Sequence, residues 1–119
     1  MLFFPLLTTF VSPANFDFHC HSTVSDGLMP PQEVAARAAA NGVDCWALTD
    51  HDDLGGLAVA RATAEELGLR FYNGVEISIE WNEIPIHIVG LGFNAEQPEL
   101  VNGLSDLRSG RRERGRGMG

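Results

Sequence analysis

The sequence predicts an α/β fold in which parallel strands are joined by helical crossovers. Three observations carry that prediction. Short apolar runs alternate with segments of helical periodicity in the order β-α-β-α-β-β. The two internal helical segments are bounded by helix punctuation, Pro30-Pro31 at one start and Gly42 and Gly68 at the two ends. Hydrophobic residues make up 45% of the 119 and charged residues 20%, a composition that excludes both a disordered chain and a membrane-spanning one.

Taken in order, Asn15-Phe-Asp-Phe-His-Cys-His21 alternates polar and apolar residues and reads as a strand running into a loop. Ser25-Asp26-Gly27 is turn chemistry. A helix follows from Pro30-Pro31 to about Asn41. Val43–Leu48 is a second, buried strand, and the polar run Thr49-Asp50-His51-Asp52-Asp53 follows it as a loop. A helix over about 54–67 places Leu57, Ala60, Ala64 and Leu67 on one apolar stripe. Arg70–Ile79 is a third strand, Trp81-Asn82-Glu83 a turn, and Ile84–Phe93 a fourth strand, so the last pair forms a hairpin. A further helix begins near Pro98. Helical crossovers make the first three strands parallel.

A parallel sheet needs helices on both faces or closure into a barrel, and four strands cannot close one. The sequence therefore predicts a domain over 15–119 that is the first part of a longer protein, preceded by an extension or lead-in over 1–14. Met1–Val11 is apolar but lacks the basic residues of a secretory leader, and it is far short of the roughly 20 residues that span a bilayer. Two cysteines, Cys20 and Cys45, make no disulfide framework and read as small core hydrophobes, which fits a cytoplasmic protein. All eight basic residues are Arg, and the charge is uneven: 15 acids stand against 3 Arg over residues 1–107, and 5 Arg against one Glu over 108–119. The acidic body excludes general binding to duplex nucleic acid but is compatible with carboxylates neutralised by metal.

All four histidines sit where a metal site would want them. His19 and His21 leave one face of an extended segment, Asp17 precedes them on that face, and Asp26 follows in the turn. His51 is flanked by Asp50 and Asp52, while Glu76 and His87 lie inside strands three and four. Each has an ordinary reading alone: a satisfied strand histidine, a surface glutamate, an Asx turn. Together, so many polar groups in an apolar sheet are expensive to bury unless something binds them. Imidazole and carboxylate donors without thiolate favour Mn²⁺, Zn²⁺ or Fe²⁺ over Mg²⁺ or Ca²⁺. Six donors exceed one tetrahedral shell, so two or three ions are implied, with Glu76 as a candidate bridge. Asp17, Asp50 and Asp52 suit supporting positions beside the ligating histidines.

The segments Asp17-Phe-His-Cys-His-Ser-Thr-Val-Ser-Asp-Gly27, Leu48-Thr-Asp-His-Asp52, Gly74-Val-Glu-Ile-Ser78 and His87-Ile-Val-Gly90 resemble, in order and spacing, the first motifs of the PHP (polymerase and histidinol phosphatase) phosphoesterases. Within that family the likeness is to the stand-alone bacterial enzymes acting on 3′,5′-nucleoside bisphosphates or on short 5′-phosphorylated RNAs. The resemblance implies a distorted (β/α)7 barrel, with this chain as its N-terminal part and a three-metal centre at the carboxyl face. His19 and His21 would hold the first metal, Asp26 and His51 the second and His87 the third, with Glu76 bridging. An Asp and His residues from later strands would complete the shells. Manganese is the expected metal, with zinc or iron as alternatives. In the run Arg111-Arg-Glu-Arg114, Arg112 and then Arg114 are the candidate contacts to substrate phosphate; as a plain sequence feature the run is a solvated helix face.

The expected activity is hydrolysis of a nucleotide phosphate ester, or of short RNA with a 5′ phosphate, by a metal-activated hydroxide, with little activity from these 119 residues alone. Two alternatives remain: an amidohydrolase-like metallohydrolase, whose barrel also begins with an H-x-H pair, and a non-catalytic metal-binding module.

Overall fold

The structure, a computed structural model, describes the backbone of residues 14–118 and the side chains of residues 14–110. The proposed extension over 1–14 falls almost wholly outside the described residues. Four strands and three helices alternate as β1 (Phe16–Asp17), α1 (Pro31–Ala40), β2 (Cys45–Leu48), α2 (Leu57–Leu67), β3 (Arg70–Trp81), β4 (Ile84–Leu91) and α3 (Pro98–Met118). The sheet order is β1-β2-β3-β4. β1 pairs parallel with β2, β2 parallel with β3, and β3 antiparallel with β4. The α/β architecture read from the sequence is the observed one. No helix among the described residues is long and apolar enough to cross a membrane.

Both internal helices end as their glycines predict. Gly42 and Gly68 adopt positive φ values of 82° and 78°. At each end the N–H of the residue after the glycine reaches back five residues, from Val43 to the Ala38 carbonyl and from Leu69 to that of Ala64, which is the Schellman arrangement. That turn explains one departure. Leu67 is 47% exposed although its spacing places it on the apolar stripe, and Leu69, at 6%, enters the core instead. α2 also starts at Leu57 rather than near Leu54, because Gly55-Gly56 has poor helix propensity and 54–56 forms a turn.

The core lies between β2 and the two helices. Trp46, Leu48, Ala35, Ala60 and Ala64 are completely buried, with Val34, Ala38, Leu57, Leu69 and Phe71 around them. Every residue of β2 is buried, as expected of a strand covered on both faces. Trp46 packs against Phe71 with ring centroids 5.3 Å apart. Cys20 also packs on this cluster, accepting the Trp46 indole N–H at 3.1 Å, and burial pushes its thiol up to about 12. Cys45 is buried and free.

The largest departure is at β1, which covers only two residues of the alternating run Asn15–His21 read as a strand running into a loop. The reason is a change of partner. Beyond Asp17 the chain is held by side chains instead of a backbone ladder: the Cys20 N–H donates to Thr49 Oγ1 and the Ser22 N–H to Asp50 Oδ1. The H-x-H pair therefore lies in an extended loop past the strand end. β3 departs the other way and runs to Trp81. Its first four residues pair with β2 and the next eight with β4. Asn82 and Glu83 connect the hairpin with φ of 51° and 64°, the two positive values of a type I′ turn.

Candidate metal centre

The site forms where β3 outruns β2. Past Leu48 the chain follows β3 without a regular ladder: the Glu76 N–H donates to the Asp50 carbonyl and the Asp52 N–H to the Glu76 carbonyl, both at 3.0 Å. His51 thereby pairs with Glu76 in an isolated parallel bridge. Asp52 makes this alignment at the cost of a φ of 52°, a conformation Asp tolerates better than most residues. Its buried carboxylate accepts the Ser78 N–H at 2.8 Å. On the other side, Ser22 to Gly27 forms a tight turn, and a Cβ at Gly27 would collide with the His21 carbonyl. The turn presents Asp26 toward His51.

Glu76, 3% exposed, is the hub. Its Oε1 lies 2.6 Å from His19 Nε2 and 3.1 Å from His21 Nε2, and its Oε2 lies 2.7 Å from His87 Nδ1. Asp26 makes a second group, 3.2 Å from His51 Nε2 and 3.7 Å from His21 Nδ1. The His21 and His51 rings stack at 4.4 Å. Burial is the largest influence on the Glu76 carboxyl and pushes its pKa up. The hydrogen bond with His19 and the charges of His51, His19 and His21 together outweigh it and hold the group below its ordinary value.

The structure thus brings together all six residues expected as ligands. The donor atoms of His19, His21 and Glu76 lie within 4.8 Å of one another, as do those of His21, Asp26 and His51. Donors bound at right angles to one cation at about 2.0–2.2 Å stand about 3 Å apart, the scale of the spacings observed. The His21 Nδ1 atom is buried without a hydrogen-bond partner, an expensive arrangement for an imidazole nitrogen unless it meets a ligand or water. Donor type, spacing and this orphaned atom all fit divalent cations.

The supporting carboxylates lie beside the ligands but bond mainly to loops. Asp17 accepts the His19 backbone N–H at 3.3 Å. Asp50 accepts the Ser22 N–H and the hydroxyls of Ser22 and Ser25, each at 2.6 Å, and so braces the turn that carries Asp26. Arg112 and Arg114 fall on α3, with side chains outside the described residues.

Two residues were not singled out from the sequence. Arg108 stands four residues before Arg112, on the same helix face. It donates from Nη1 to the Asp52 carbonyl at 2.6 Å and borders a cavity of about 470 Å3 with Ser25, Asp26, His51, Asp53 and Ser78. The i, i+4 spacing was the available signal. Ser78 shares a sheet face with Glu76 two residues away and sits opposite His87; it closes the segment Gly74-Val-Glu-Ile-Ser78, of which Glu76 alone reads as a ligand in the sequence.

Residues 17–107 match the PHP domain family. The chain belongs to the PHP family. A 3′,5′-nucleoside bisphosphate phosphatase of Chromobacterium violaceum is 52% identical over 106 residues, which cover 89% of this chain and 37% of that protein. A 5′-3′ exoribonuclease of Haemophilus influenzae is 43% identical over 99 residues, 83% of this chain and 36% of the relative. A solved structure described as an amidohydrolase from Chromobacterium violaceum, with bound sulfate and no metal, superposes with a TM-score of 0.84 at 52% identity, over 89% of this chain and 37% of the other. This PHP chain thus spans little more than a third of the length of these relatives. The fold it shares with them is the N-terminal part of a PHP barrel.

Proposed function

We propose that the protein is a metal-dependent phosphoesterase that hydrolyses a phosphate ester of a nucleotide, with 3′,5′-nucleoside bisphosphates and short 5′-phosphorylated RNAs as its substrate class. The observation that carries this is the meeting of four histidines and Asp26 around buried Glu76, with one buried imidazole nitrogen left without a hydrogen bond. The names of the two curated relatives point to nucleoside bisphosphates and RNA; the restriction to short RNA with a 5′ phosphate comes from the motif resemblance.

In this reading His19 and His21 would hold a first cation, Asp26 and His51 a second, and His87 a third, and Glu76 would serve more than one of them. Manganese is the expected ion. Cations so held would supply positive charge to the phosphoryl oxygens and acidify water at neutral pH. The chain's own contribution is position. Asp50 fixes the turn beneath Asp26, and Asp52 fixes β3 against the His51 loop. Arg108 places a guanidinium on the wall of the adjoining cavity, where its fork suits phosphate oxygens. Arg112 and Arg114 extend the same basic helix. Two free cysteines fit a protein that acts in the reducing cytoplasm.

The test is phosphate release by the intact protein, with added Mn²⁺, from nucleoside 3′,5′-bisphosphates and from 5′-phosphorylated oligoribonucleotides. Release from either supports the reading. Bound metal with no release from both would overturn it. The amidohydrolase description of the Chromobacterium violaceum structure favours a second reading, so the same preparation should be offered amides; amide turnover without phosphate release would establish that one instead.

A further inference from the structure

We infer that Thr49 is a positioning residue that holds the His19-Cys20-His21 segment through the backbone of Cys20, so that both imidazoles reach Glu76 already spaced for a cation. The inference rests on the metal-centre reading above and deepens it.

His21 belongs to both groups of donors, with His19 and Glu76 in one and with Asp26 and His51 in the other. A small displacement of this segment would therefore disturb both. Yet His19 and His21 lie past the end of β1, beyond the last ladder pair at Asp17. What holds them is the residue between them. The Cys20 N–H donates to the Thr49 hydroxyl at 3.0 Å, and that hydroxyl donates in turn to the Cys20 carbonyl at 3.1 Å. The direction of each bond is fixed, because an amide N–H only donates and a carbonyl only accepts. The same carbonyl also accepts the Thr49 N–H at 2.9 Å. The Cys20 side chain is anchored too, since its sulfur accepts the Trp46 indole N–H at 3.1 Å and donates to the Ala47 carbonyl at 3.3 Å. On the far side of His21, Asp50 holds the N–H and hydroxyl of Ser22. His21 is thus bracketed by two residues that the segment after β2 keeps in place.

Thr49 is itself held. It is completely buried, and its methyl group lies against Gly74, where a Cβ would come within 2.7 Å of that methyl and 2.6 Å of the Leu48 carbonyl. A β-branched side chain has few rotamers. With the methyl lodged at Gly74, the hydroxyl is aimed at Cys20. Valine copies this shape but neither donates nor accepts, so it would leave the Cys20 N–H without its partner. The bond from the Thr49 N–H would survive, and the segment would be loosened without being detached.

The experiment compares the intact wild type with Thr49→Val and Thr49→Ser by two readouts. Amide hydrogen exchange at Cys20, followed by NMR without metal, reports whether the segment is held. Calorimetric titration with Mn²⁺ reports cation affinity, at a temperature where circular dichroism shows each variant folded. Thr49→Val should speed exchange at Cys20 by roughly tenfold, the worth of one hydrogen bond, and weaken Mn²⁺ binding by roughly 10–100-fold, as for loss of a group that orients a ligand. Thr49→Ser keeps the hydroxyl and should return both readouts toward the wild type. Should Thr49→Val not fold, Thr49→Ala makes the same deletion without pressing a methyl on the Cys20 N–H. Unchanged exchange at Cys20, or a lowered unfolding midpoint with unchanged Mn²⁺ affinity of the folded protein, would overturn the inference. A wild type that binds no Mn²⁺ would overturn the metal-centre reading, while exchange at Cys20 would still decide whether Thr49 holds the segment.

Discussion

β2 and β4 flank the same strand and have opposite fates. All four residues of β2 are buried beneath α1 and α2. On β4, Ile84, Ile88, Val89 and Leu91 are 41–55% exposed. β3 records the change along its own length: Val75 is 1% exposed and Trp81 63%. Glu76 and Ser78 lie just past the point where β3 exchanges β2 for β4. The covered half supplies the rigidity that can hold a charged carboxylate out of water, and the open half leaves His87 and His19 within reach of solvent, with side chains 52% and 60% exposed. A centre that must both fix its ligands and admit a substrate belongs at such a boundary.

If the covered half carries the stability, its disruption should have the largest effect of any single change. Trp46 is fully buried against Phe71 and gives its indole N–H to Cys20. Trp46→Ala should cost about 3–5 kcal/mol, read from the urea midpoint by circular dichroism. A cost below about 1 kcal/mol would place the stabilising core elsewhere.

The boundary itself is tested by Glu76→Gln, which keeps the shape and removes the charge. Cation affinity should fall by more than the roughly 100-fold expected for loss of a supporting residue. The metal-free chain should change as well, in a direction fixed by the depressed carboxyl pKa. A carboxylate that ionises more readily in the folded state contributes stability that is full above its unfolded pKa and is lost as the pH falls through its folded pKa. The wild type should therefore lose more stability than Glu76→Gln between neutral pH and the acid range. Parallel stability curves would show that Glu76 is not held by its histidines.

What could be read in advance follows the same division. The element order, the parallel crossovers, the hairpin and the helix ends were legible because each depends on local signals: apolar period, Pro30-Pro31, Gly42, Gly68. The six candidate donors were legible because the chain has only four histidines, each beside a strand end or inside a strand, with Asp26 in the turn after His21 and Glu76 inside an apolar strand. The early end of β1 was not, since it depends on Thr49 and Asp50 replacing ladder partners from 28 or 29 residues away. Ser78 and Arg108 escaped for a related reason. A serine in an amphipathic strand and an arginine on a helix are ordinary until the fold brings the His51 loop between them.

The smallest expected effect lies on the open half. Ile88 pairs with Ile77 across the hairpin and keeps 48% of its surface exposed. Full burial of such a side chain is worth about 1.5–3 kcal/mol, so roughly half burial predicts a loss of about 1 kcal/mol for Ile88→Ala, with cation affinity unchanged because the side chain points to the face opposite Glu76 and Ser78. Urea unfolding and a metal titration on the same variant test both halves of this statement. A loss of 3 kcal/mol or more would mean that Ile88 is covered in solution and that the contrast between β2 and β4 is smaller than their exposures indicate. A change in cation affinity without a change in stability would mean that the two faces of the hairpin are coupled, and that the register of β4, not only its histidine, positions the centre.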